Sequence, residues 1–472
     1  MIRSAAGGVS DALVACRVGL QAGQESVAVD EKHDAHSATG VVVSQSCART
    51  SGGCLPVAST PRRPPPALDA GWWECQAACS AVSARTGRRL RRPGGQDGGV
   101  ELDAFLAVAV ELLAVPSTAE RPEQLRRAVE SVVDFVGPGF SVERFESNGK
   151  PSALVYAEGY RGATRPDFRV ILNGHLDVVP GEPGQFRPRR EGDRLYARGA
   201  QDMKVSALVQ AQVFRELATR LPYPLALQLV ADEEVGGRDG TLYQLQQGVT
   251  GTFVVIGEYS GLDIVADSKG LVHARLRASG RSGHGAYQWL GDNALVKLVK
   301  TVTRLLARYP VATQEVWRTT VSLARVDTPN QAFNQIPAHA EAWLDIRFPA
   351  EDADFNGRTL REVAEYLDTF CEPGVTVAID HLDAAHHADH DRREVKELRK
   401  AAQSQGYPAG FLYKHGAGDG AFYSGRVIAA VAFGVGGGGQ HGPDEYVEIA
   451  TIVPYYRALK EFLERLRSAA DG

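Results

Sequence analysis

Cysteine is scarce over most of this chain, and no long apolar run is present. Cys371 stands alone after residue 100, and the other five cysteines precede that point: Cys16, Cys47, Cys54, Cys75 and Cys79. The later part of the chain therefore cannot depend on internal disulfides, which favours a reducing compartment, the cytoplasm. No apolar stretch approaches the roughly 20 residues that a membrane-spanning helix needs, so we predict no transmembrane segment.

An excess of one charge is also missing. The 52 lysine and arginine residues nearly balance the 57 aspartate and glutamate residues, and the net charge is -5. Such a balance provides no basic surface for nucleic acid or for an anionic membrane. With 44% hydrophobic and 23% charged residues, the composition is that of a globular protein. We therefore expect a small molecule as the partner.

Residues 1–99 lack the periodicity of helices and strands. Proline, glycine, serine and arginine are scattered through stretches such as TPRRPPPALDAG, which is typical of a disordered segment. An amphipathic helix pattern begins abruptly near Val100. We predict a disordered N-terminal extension over residues 1–99, and a folded, functional part that starts at about residue 100.

From residue 100 onward, helical patterns alternate with short apolar strands, which predicts an α/β fold. The pattern changes after Asp267, where the order becomes strand, helix, two strands, helix and strand. This βαββαβ order is that of a ferredoxin-like unit. We predict a catalytic domain in two parts, residues 100–267 and 383–472, and an inserted lid or dimerisation domain at residues 268–382.

Histidine and acidic residues occur where the predicted strands end and in the loops between them, the places where open α/β sheets collect ligands. Two imidazoles, a candidate bridging carboxylate and two terminal carboxylates can hold two divalent ions, which suits zinc and tolerates cobalt or manganese. One glutamate then remains to move protons. The candidate residues are His175, Asp202, Glu233, Glu234, Glu258 and His441, together with Asp177 two positions after His175.

Each of these motifs has an ordinary structural explanation when it is taken alone. An aspartate before a helix, such as Asp202, is most often an N-cap, and adjacent glutamates such as Glu233 and Glu234 are commonly a solvated turn. Two neighbouring carboxylates are nevertheless costly unless a cation neutralises one of them. Alternation along a strand also places His175 and Asp177 on one face, where the carboxylate can hold the imidazole. The combination favours a two-metal site.

These motifs, in this order, resemble those of the dinuclear zinc family that contains acetylornithine deacetylase, succinyl-diaminopimelate desuccinylase, aminoacylases and glutamate carboxypeptidase. The resemblance covers about residues 101–468. It implies a zinc-exopeptidase-like catalytic domain of α/β class with an inserted ferredoxin-like lid. The segments that carry it are GHLDVVP, ARGAQDMK, ADEEVGG, GEYSG, SGRSGHGAYQWLGDNA, FNQIPAHAEAWLDIR, HGAGDGAFY and GGGGQHGPDEYVEI.

The resemblance also implies how the metal ligands are shared. His175 and Glu258 would bind one zinc ion. Glu234 and His441 would bind the other, and Asp202 would bridge the two. A cis peptide bond is implied after Asp202.

Two further roles follow from the same resemblance. Asp177 would orient His175, and Glu233 would be the general base. Removal of such a proton carrier typically lowers the rate by about 10² to 10⁴-fold.

Three residues of the predicted lid acquire substrate roles by the resemblance, although a surface histidine, a turn cap and a surface ion pair would explain them equally well when taken alone. His284 would stabilise the oxyanion from the partner subunit's lid. Asn334 and Arg347 would hold the substrate carboxylate, for which a planar guanidinium group is well shaped. A homodimer formed through the lid is therefore expected.

Two other segments attract attention by composition. GVGGGG formally fits a dinucleotide-binding motif, but no helix pattern follows it, and we interpret its glycines as allowing close backbone approach to a substrate. The cluster DAAHHADHD, with His386, His387 and His390, is interpreted as a solvated linker.

The segment HGAGDGAFY departs from the usual Ser/Thr-rich family loop by carrying His415 and Ala417. This departure bears on substrate specificity rather than on metal binding.

We predict a metal-dependent hydrolase that cleaves the amide bond of an N-acyl amino acid, with a hydroxide between two zinc ions as nucleophile and Glu233 as proton carrier. A metallo-dipeptidase or carboxypeptidase acting on small peptides is the alternative. Two rival classes are a non-catalytic metal-binding module and a serine hydrolase that uses Ser282 near His284. Neither rival explains every acidic ligand.

Overall fold

The predicted alternation of helices and strands is present in the computed structural model, which describes residues 101–158, 165–426 and 428–467. These residues fall within one unit, Trp73–Gly472. The extension that we predict to be disordered, residues 1–99, lies outside the described residues. Among the residues that are described, no helix is both long and apolar enough to cross a membrane.

The helices of the described part are α1 (Leu102–Leu113), α2 (Pro122–Val136), α3 (Lys204–Leu217), α4 (Thr241–Gln246), α5 (Ala294–Arg308), α6 (Leu360–Asp368), α7 (Arg393–Ser404), α8 (Gly420–Ser424) and α9 (Ile449–Arg467). The strands are β1 (Phe140–Ser147), β2 (Lys150–Ala157), β3 (Phe168–His175), β4 (Arg189–Glu191), β5 (Arg194–Tyr196), β6 (Leu225–Val230), β7 (Gly251–Ile256), β8 (Ile264–Ser268), β9 (Gly270–Ser279), β10 (Thr320–Asp327), β11 (His339–Phe348), β12 (Val375–Asp383), β13 (His386–His387), β14 (Phe411–Lys414), β15 (Ala429–Ala432), β16 (Gly437–Gly438) and β17 (Tyr446–Glu448).

The largest sheet of the described residues is mixed, with the strand order β1-β2-β6-β3-β7-β15-β8-β13. Strand β14 pairs with β8 outside this order. The middle strands β6, β3, β7 and β15 are parallel to one another. Their sequences are almost continuously apolar because helices cover both faces of a parallel sheet. In β6, for example, every residue of LALQLV is buried. The parallel arrangement also brings the carboxyl ends of these strands to the same edge.

Helices pack on both faces of this sheet. On one face, α3 lies against β3 and contacts α2 and α9. Phe214 of α3 and Phe462 of α9 are fully buried in the large core that results. A smaller cluster that includes Ile171, Val254 and Tyr423 fills the other face. Burial of a large aromatic side chain stabilises the fold by roughly 1.5 to 3 kcal/mol relative to leaving it exposed.

A second sheet has the order β10-β11-β9-β12 and is antiparallel throughout. With α5 after β9 and α6 after β11, the chain follows the predicted βαββαβ order. Residues alternate along β9, since Val272, Ala274 and Leu276 are buried under the helices while His273 and Arg277 on the other face are exposed. The order of elements is confirmed, whereas the domain boundaries at residues 268 and 382 stay predictions.

The interpretation of DAAHHADHD as a solvated linker was wrong. β13 pairs with β8 at the edge of the large sheet, and His386 is buried with its Nε2 donating to the carbonyl oxygen of Ala430 at 2.7 Å. Nδ1 of His387 and Nε2 of His390 each lie 2.7 Å from a different oxygen of Asp267. The sequence pattern shows only polar composition, and it cannot show that a distant aspartate supplies partners for these imidazoles.

Candidate metal centre

Three adjacent parallel strands deliver four of the predicted residues to one edge of the sheet. His175 is the last residue of β3, while Glu233 and Glu234 follow β6, and Glu258 follows β7. Because β6, β3 and β7 are neighbours and run in the same direction, their carboxyl ends meet. The strand-end positions read from the sequence therefore converge in space.

Asp202 reaches the same place from the loop before α3. Its peptide bond to Met203 is cis, as the resemblance implied. The loop is held by Glu445, whose Oε1 accepts hydrogen bonds from the backbone N–H groups of Gln201 and Asp202 at 3.1 and 3.2 Å. The other oxygen of Glu445 accepts from Arg198 at 2.6 Å. This buried ion pair fixes the backbone that carries Asp202.

His441 comes from the short loop between β16 and β17, which belong to a small four-stranded sheet with β5 and β4. The loop makes a sharp turn, and His441 itself has a φ of 57°. The glycines before it allow close backbone packing, since a Cβ on Gly434 would lie 2.5 Å from the carbonyl oxygen of Glu258. We had expected these glycines to approach a substrate. At Gly434 the structure shows approach to the protein's own backbone.

The carboxylate of Asp202 lies between two pairs of side chains. Its Oδ1 is 2.9 Å from Nε2 of His175, and that same nitrogen is 3.2 Å from Glu258. Its Oδ2 is 3.5 Å from Nε2 of His441, which in turn is 3.1 Å from Glu234. One short carboxylate thus faces a histidine and a glutamate on each side, which is the arrangement expected of a bridge between two metal ions.

The donor atoms fit two divalent ions. The ligand atoms of His175, Glu233 and Glu258 lie within 4.8 Å of one another, and those of Asp202, Glu234 and His441 form a second such group. Each group mixes imidazole nitrogen with carboxylate oxygen, a set that suits zinc and related ions. Glu233 lies with the first group, although the sequence argument assigns it to proton transfer.

The charges at the site also favour cations. Burial raises the pKa of Glu233 well above its usual value, and nearby Glu258 adds to the increase. Burial likewise raises the pKa of Glu234. Hydrogen bonds to Asp202 and Glu234 raise the pKa of His441 to about 10. These shifts share a cause, since several carboxylates crowd a poorly solvated space that divalent ions would neutralise.

Asp177 is fully buried and does more than the sequence argument assigned to it. Its carbonyl oxygen lies 3.1 Å from Nδ1 of His175, and its carboxylate lies 3.5 Å from the same nitrogen. The two carboxylate oxygens accept hydrogen bonds from the backbone N–H groups of Glu233 and Glu234, at 3.2 and 3.0 Å. Asp177 therefore connects His175 to the loop that carries the adjacent glutamates.

A cavity of about 350 Å³ opens beside the metal ligands. Glu233, Asp419 and Arg347 are among the residues that line it, so the structure brings Arg347 to the same cavity as the predicted base. Its guanidinium group donates to Asp345 at 2.8 and 3.0 Å, which fixes its orientation. Arg347 thus lies at the cavity, and its role in substrate binding stays a prediction.

His284 and Asn334 are not among the residues that line this cavity. Both are exposed, and they lie together because the N–H group of Gly285 donates to the carbonyl oxygen of Asn334 at 2.7 Å. The chain therefore does not place them at the lining of its own Glu233 cavity, and the oxyanion role of His284 from a partner subunit and the substrate role of Asn334 stay predictions.

Several residues of the site were missed by the sequence argument. Nζ of Lys414 lies 3.2 Å from Glu258, and Gln440 donates to Oδ2 of Asp202. Buried Asp419 accepts from Thr241, and burial raises its pKa to about 8. The only sequence signal for Lys414 and Asp419 was their position in or beside HGAGDGAFY, the segment that departs from the family pattern.

Comparison with known proteins agrees with this geometry. The family model described as peptidase family M20/M25/M40 matches residues 171–465. A succinyl-diaminopimelate desuccinylase of Gluconacetobacter diazotrophicus is 30% identical over 380 residues, which cover 76% of this chain and 96% of that protein. A putative succinyl-diaminopimelate desuccinylase of Mycobacterium tuberculosis is 29% identical over 372 residues, covering 76% and 97%.

Solved structures show the same fold. The aminopeptidase PepT of Bacillus cereus has a TM-score of 0.63 at 16% identity, covering 78% of this chain and 99% of that chain. An M20 family metallo-carboxypeptidase of Sulfolobus solfataricus has a TM-score of 0.58 at 18% identity, covering 76% and 98%. The extent of the family match, together with the site geometry, settles the classification: this chain belongs to peptidase family M20/M25/M40 and is a hydrolytic enzyme with a dinuclear metal site.

Proposed function

We propose that this enzyme releases the acyl group from a small N-acyl amino acid, in the manner of a deacetylase or desuccinylase, with Glu233 as the general base. The observation that carries the proposal is the position of Asp202 between two histidine–glutamate pairs, with Glu233 beside them at the wall of a cavity. The desuccinylase names of the relatives support an acyl amide as the bond that is cleaved.

His175 and Glu258 would hold one ion, Glu234 and His441 the other, and Asp202 would bridge them. We propose zinc in both positions, with cobalt or manganese as working substitutes, because the donor set is mixed imidazole and carboxylate. Bound divalent ions supply Lewis-acid activation of a water molecule and of the substrate carbonyl. Every other step is assigned to the protein's own side chains.

Glu233 would accept the proton of the attacking water and return it to the leaving amine. Its carboxylate lines the cavity and lies within 4.8 Å of the ligand atoms of His175 and Glu258, so it can reach a water molecule held there. Asp177 holds the backbone of Glu233 and Glu234 in place. Arg347, which lines the same cavity, would bind the carboxylate of the substrate and so position the amide bond.

A peptide is the alternative substrate. A cavity of about 350 Å³ admits a dipeptide as readily as an acyl amino acid. We therefore propose to test metal-loaded protein on a panel of N-acetyl and N-succinyl amino acids together with dipeptides, with products identified by mass. Turnover confined to the peptides would replace the deacylase assignment, and no turnover at all despite bound metal would favour a non-catalytic binder.

Glu233→Gln tests the mechanism. The change keeps the size of the side chain and removes its basicity, so we expect a rate lower by about 10² to 10⁴-fold with both metal ions retained. Glu397→Gln, on the remote helix α7, is the control and should keep full activity. Near-full turnover of Glu233→Gln with two metal ions bound would contradict the role of the base.

We also propose a homodimer formed through the second sheet. β10 is at the edge of that sheet, and residues 322–327 along it are exposed. Pairing of two β10 edges would satisfy the unpaired backbone groups of this edge, and we propose that His284 then acts on the other subunit. Light scattering should give a dimer for the wild type and a monomer for Val326→Lys on β10. A monomeric wild type would contradict the proposal.

The reducing compartment remains part of the proposal. Cys371, the cysteine within the described residues, is a free and partly buried thiol. A single cysteine in the described residues cannot form a disulfide bond within that part of the chain, which supports the cytoplasm as the compartment. Cell fractionation that found the active protein outside the cytoplasm would contradict this assignment.

A further inference from the structure

Lys414 is a cation that contacts Glu258, a proposed ligand in one half of the metal centre. It is the last residue of β14, which pairs in parallel with β8, and its carbonyl oxygen accepts from the N–H group of Lys269 at 3.0 Å. Its side chain is 26% exposed. Its ammonium group lies 3.9 Å from the ring centre of Tyr259 and 3.2 Å from Oε2 of Glu258. Strand pairing and two side-chain contacts therefore fix the charge in place.

The two oxygens of Glu258 are divided between different partners. Oε1 faces Nε2 of His175 at 3.2 Å, on the side where the metal ion would bind. Oε2 lies 3.2 Å from Nζ of Lys414. A carboxylate that is shared in this way has one fixed orientation, but it also gives part of its charge to the ammonium group.

The other half of the centre differs. Glu234 is paired with His441 at 3.1 Å, and the next residue along the chain, Gln440, contributes a neutral amide to Asp202. The hydroxyl group of Tyr259 donates to Oε1 of the same Gln440 side chain, which is also neutral. Among the ligand contacts of the described residues, a lysine therefore appears only on the Glu258 side.

We propose that Lys414 is a positioning residue that weakens metal binding at the His175–Glu258 position and so makes the two metal sites unequal. The inference rests on the proposed two-metal function. A fixed positive charge close to an incoming divalent ion repels it, and the shared carboxylate is a poorer donor. Glu258 would then supply less charge to a metal ion at this position. The unequal pair is therefore built into the protein by one side chain.

Metal titration of the full-length protein tests this role. Metal-free protein is titrated with Zn²⁺ against a competing chromophoric chelator, and separately with Co²⁺, whose visible absorption reports the ligands of each site. In Lys414→Met we expect the weaker of the two equivalents to bind about 10 to 100-fold more tightly, because the repulsion between the ammonium group and a divalent ion is removed. Its Co²⁺ bands should shift as well. Lys414→Arg keeps the charge and should restore both the affinity and the spectrum of the wild type.

Lys460 provides a matched control. Its ammonium group contacts Glu216 at 2.7 Å and the ring of Tyr456 at 5.1 Å, so it repeats the lysine–glutamate–tyrosine arrangement far from the metal ligands. Lys460→Met should leave both metal affinities unchanged. Lys414→Gln is measured in parallel with Lys414→Met, and the variant whose circular dichroism matches the wild type decides the result.

The outcomes separate the two proposals. Two bound equivalents with unchanged or weaker binding in Lys414→Met and Lys414→Gln would overturn the role of Lys414 and leave the two-metal function intact. Failure of the wild type to bind a second equivalent would overturn the two-metal function, and the role of Lys414 with it. Tighter binding in Lys414→Met with recovery in Lys414→Arg supports the inference.

Discussion

Replacement of Asp177 by asparagine tests how the metal site is held together. Asp177 is 1% exposed, and its two oxygens accept the N–H groups of Glu233 and Glu234 at 3.2 and 3.0 Å. Asparagine offers one oxygen and one NH₂ group. One backbone N–H group must therefore face another donor, while the remaining hydrogen bond loses its charge.

The magnitude follows from these contacts. Loss of one hydrogen bond to a charged group costs about 1.5 to 3 kcal/mol. At about 1.36 kcal/mol for each factor of ten, this corresponds to a decrease of about 10 to 150-fold in kcat/KM when the whole loss is expressed at the site. The decrease should be larger at limiting metal, because the same loop carries the predicted ligand Glu234.

The assay compares kcat/KM and bound metal for Asp177→Asn and for the wild type, at limiting and at saturating Zn²⁺. Asp167→Asn is the matched control, since Asp167 lies just before the same strand, β3, and is exposed. It should match the wild type. If Asp177→Asn kept wild-type kcat/KM at limiting metal, the proposed function of this carboxylate would be refuted.

Three further results are expected. Chelation should abolish activity and Zn²⁺ should restore it, which a serine hydrolase using Ser282 would not show. Arg347→Ala should raise KM for substrates that carry a carboxylate by about 10 to 150-fold, which corresponds to the loss of one charged hydrogen bond. Bound metal should stay unchanged. An unchanged KM would show that Arg347 does not bind the substrate. Phe462→Ala, in the core against Phe253, should lower the free energy of unfolding by about 3 to 5 kcal/mol in chemical denaturation. Val311→Ala, at an exposed position, should change it by less than about 0.5 kcal/mol, and equal effects of the two would contradict the assigned core.

Much of the metal site could be predicted because it follows from strand ends. His175, Glu233 and Glu258 each occupy the end of an apolar strand or the residues just after it, and parallel neighbouring strands end at one edge whatever path the loops take. The resemblance to the family then supplied the bridging place of Asp202 and the cis bond after it.

The contacts around those ligands could not be predicted in the same way. Lys414 is 156 positions from Glu258 along the chain, and Asp267 is 120 positions from His387. A sequence pattern shows that such residues are polar but not which partner they meet. DAAHHADHD was therefore misinterpreted as a solvated linker, and Lys414 was overlooked.

The sequence by itself determined the α/β class, the βαββαβ order and the residue types of a two-metal centre, because apolar periodicity and strand ends are local properties of the chain. Only the tertiary structure decided that Asp177 holds both glutamates, that Arg347 and Glu233 line one cavity, and that Lys414 shares Glu258 with the metal position. These contacts join distant segments, and their formation depends on strand register and loop path, which no local pattern contains.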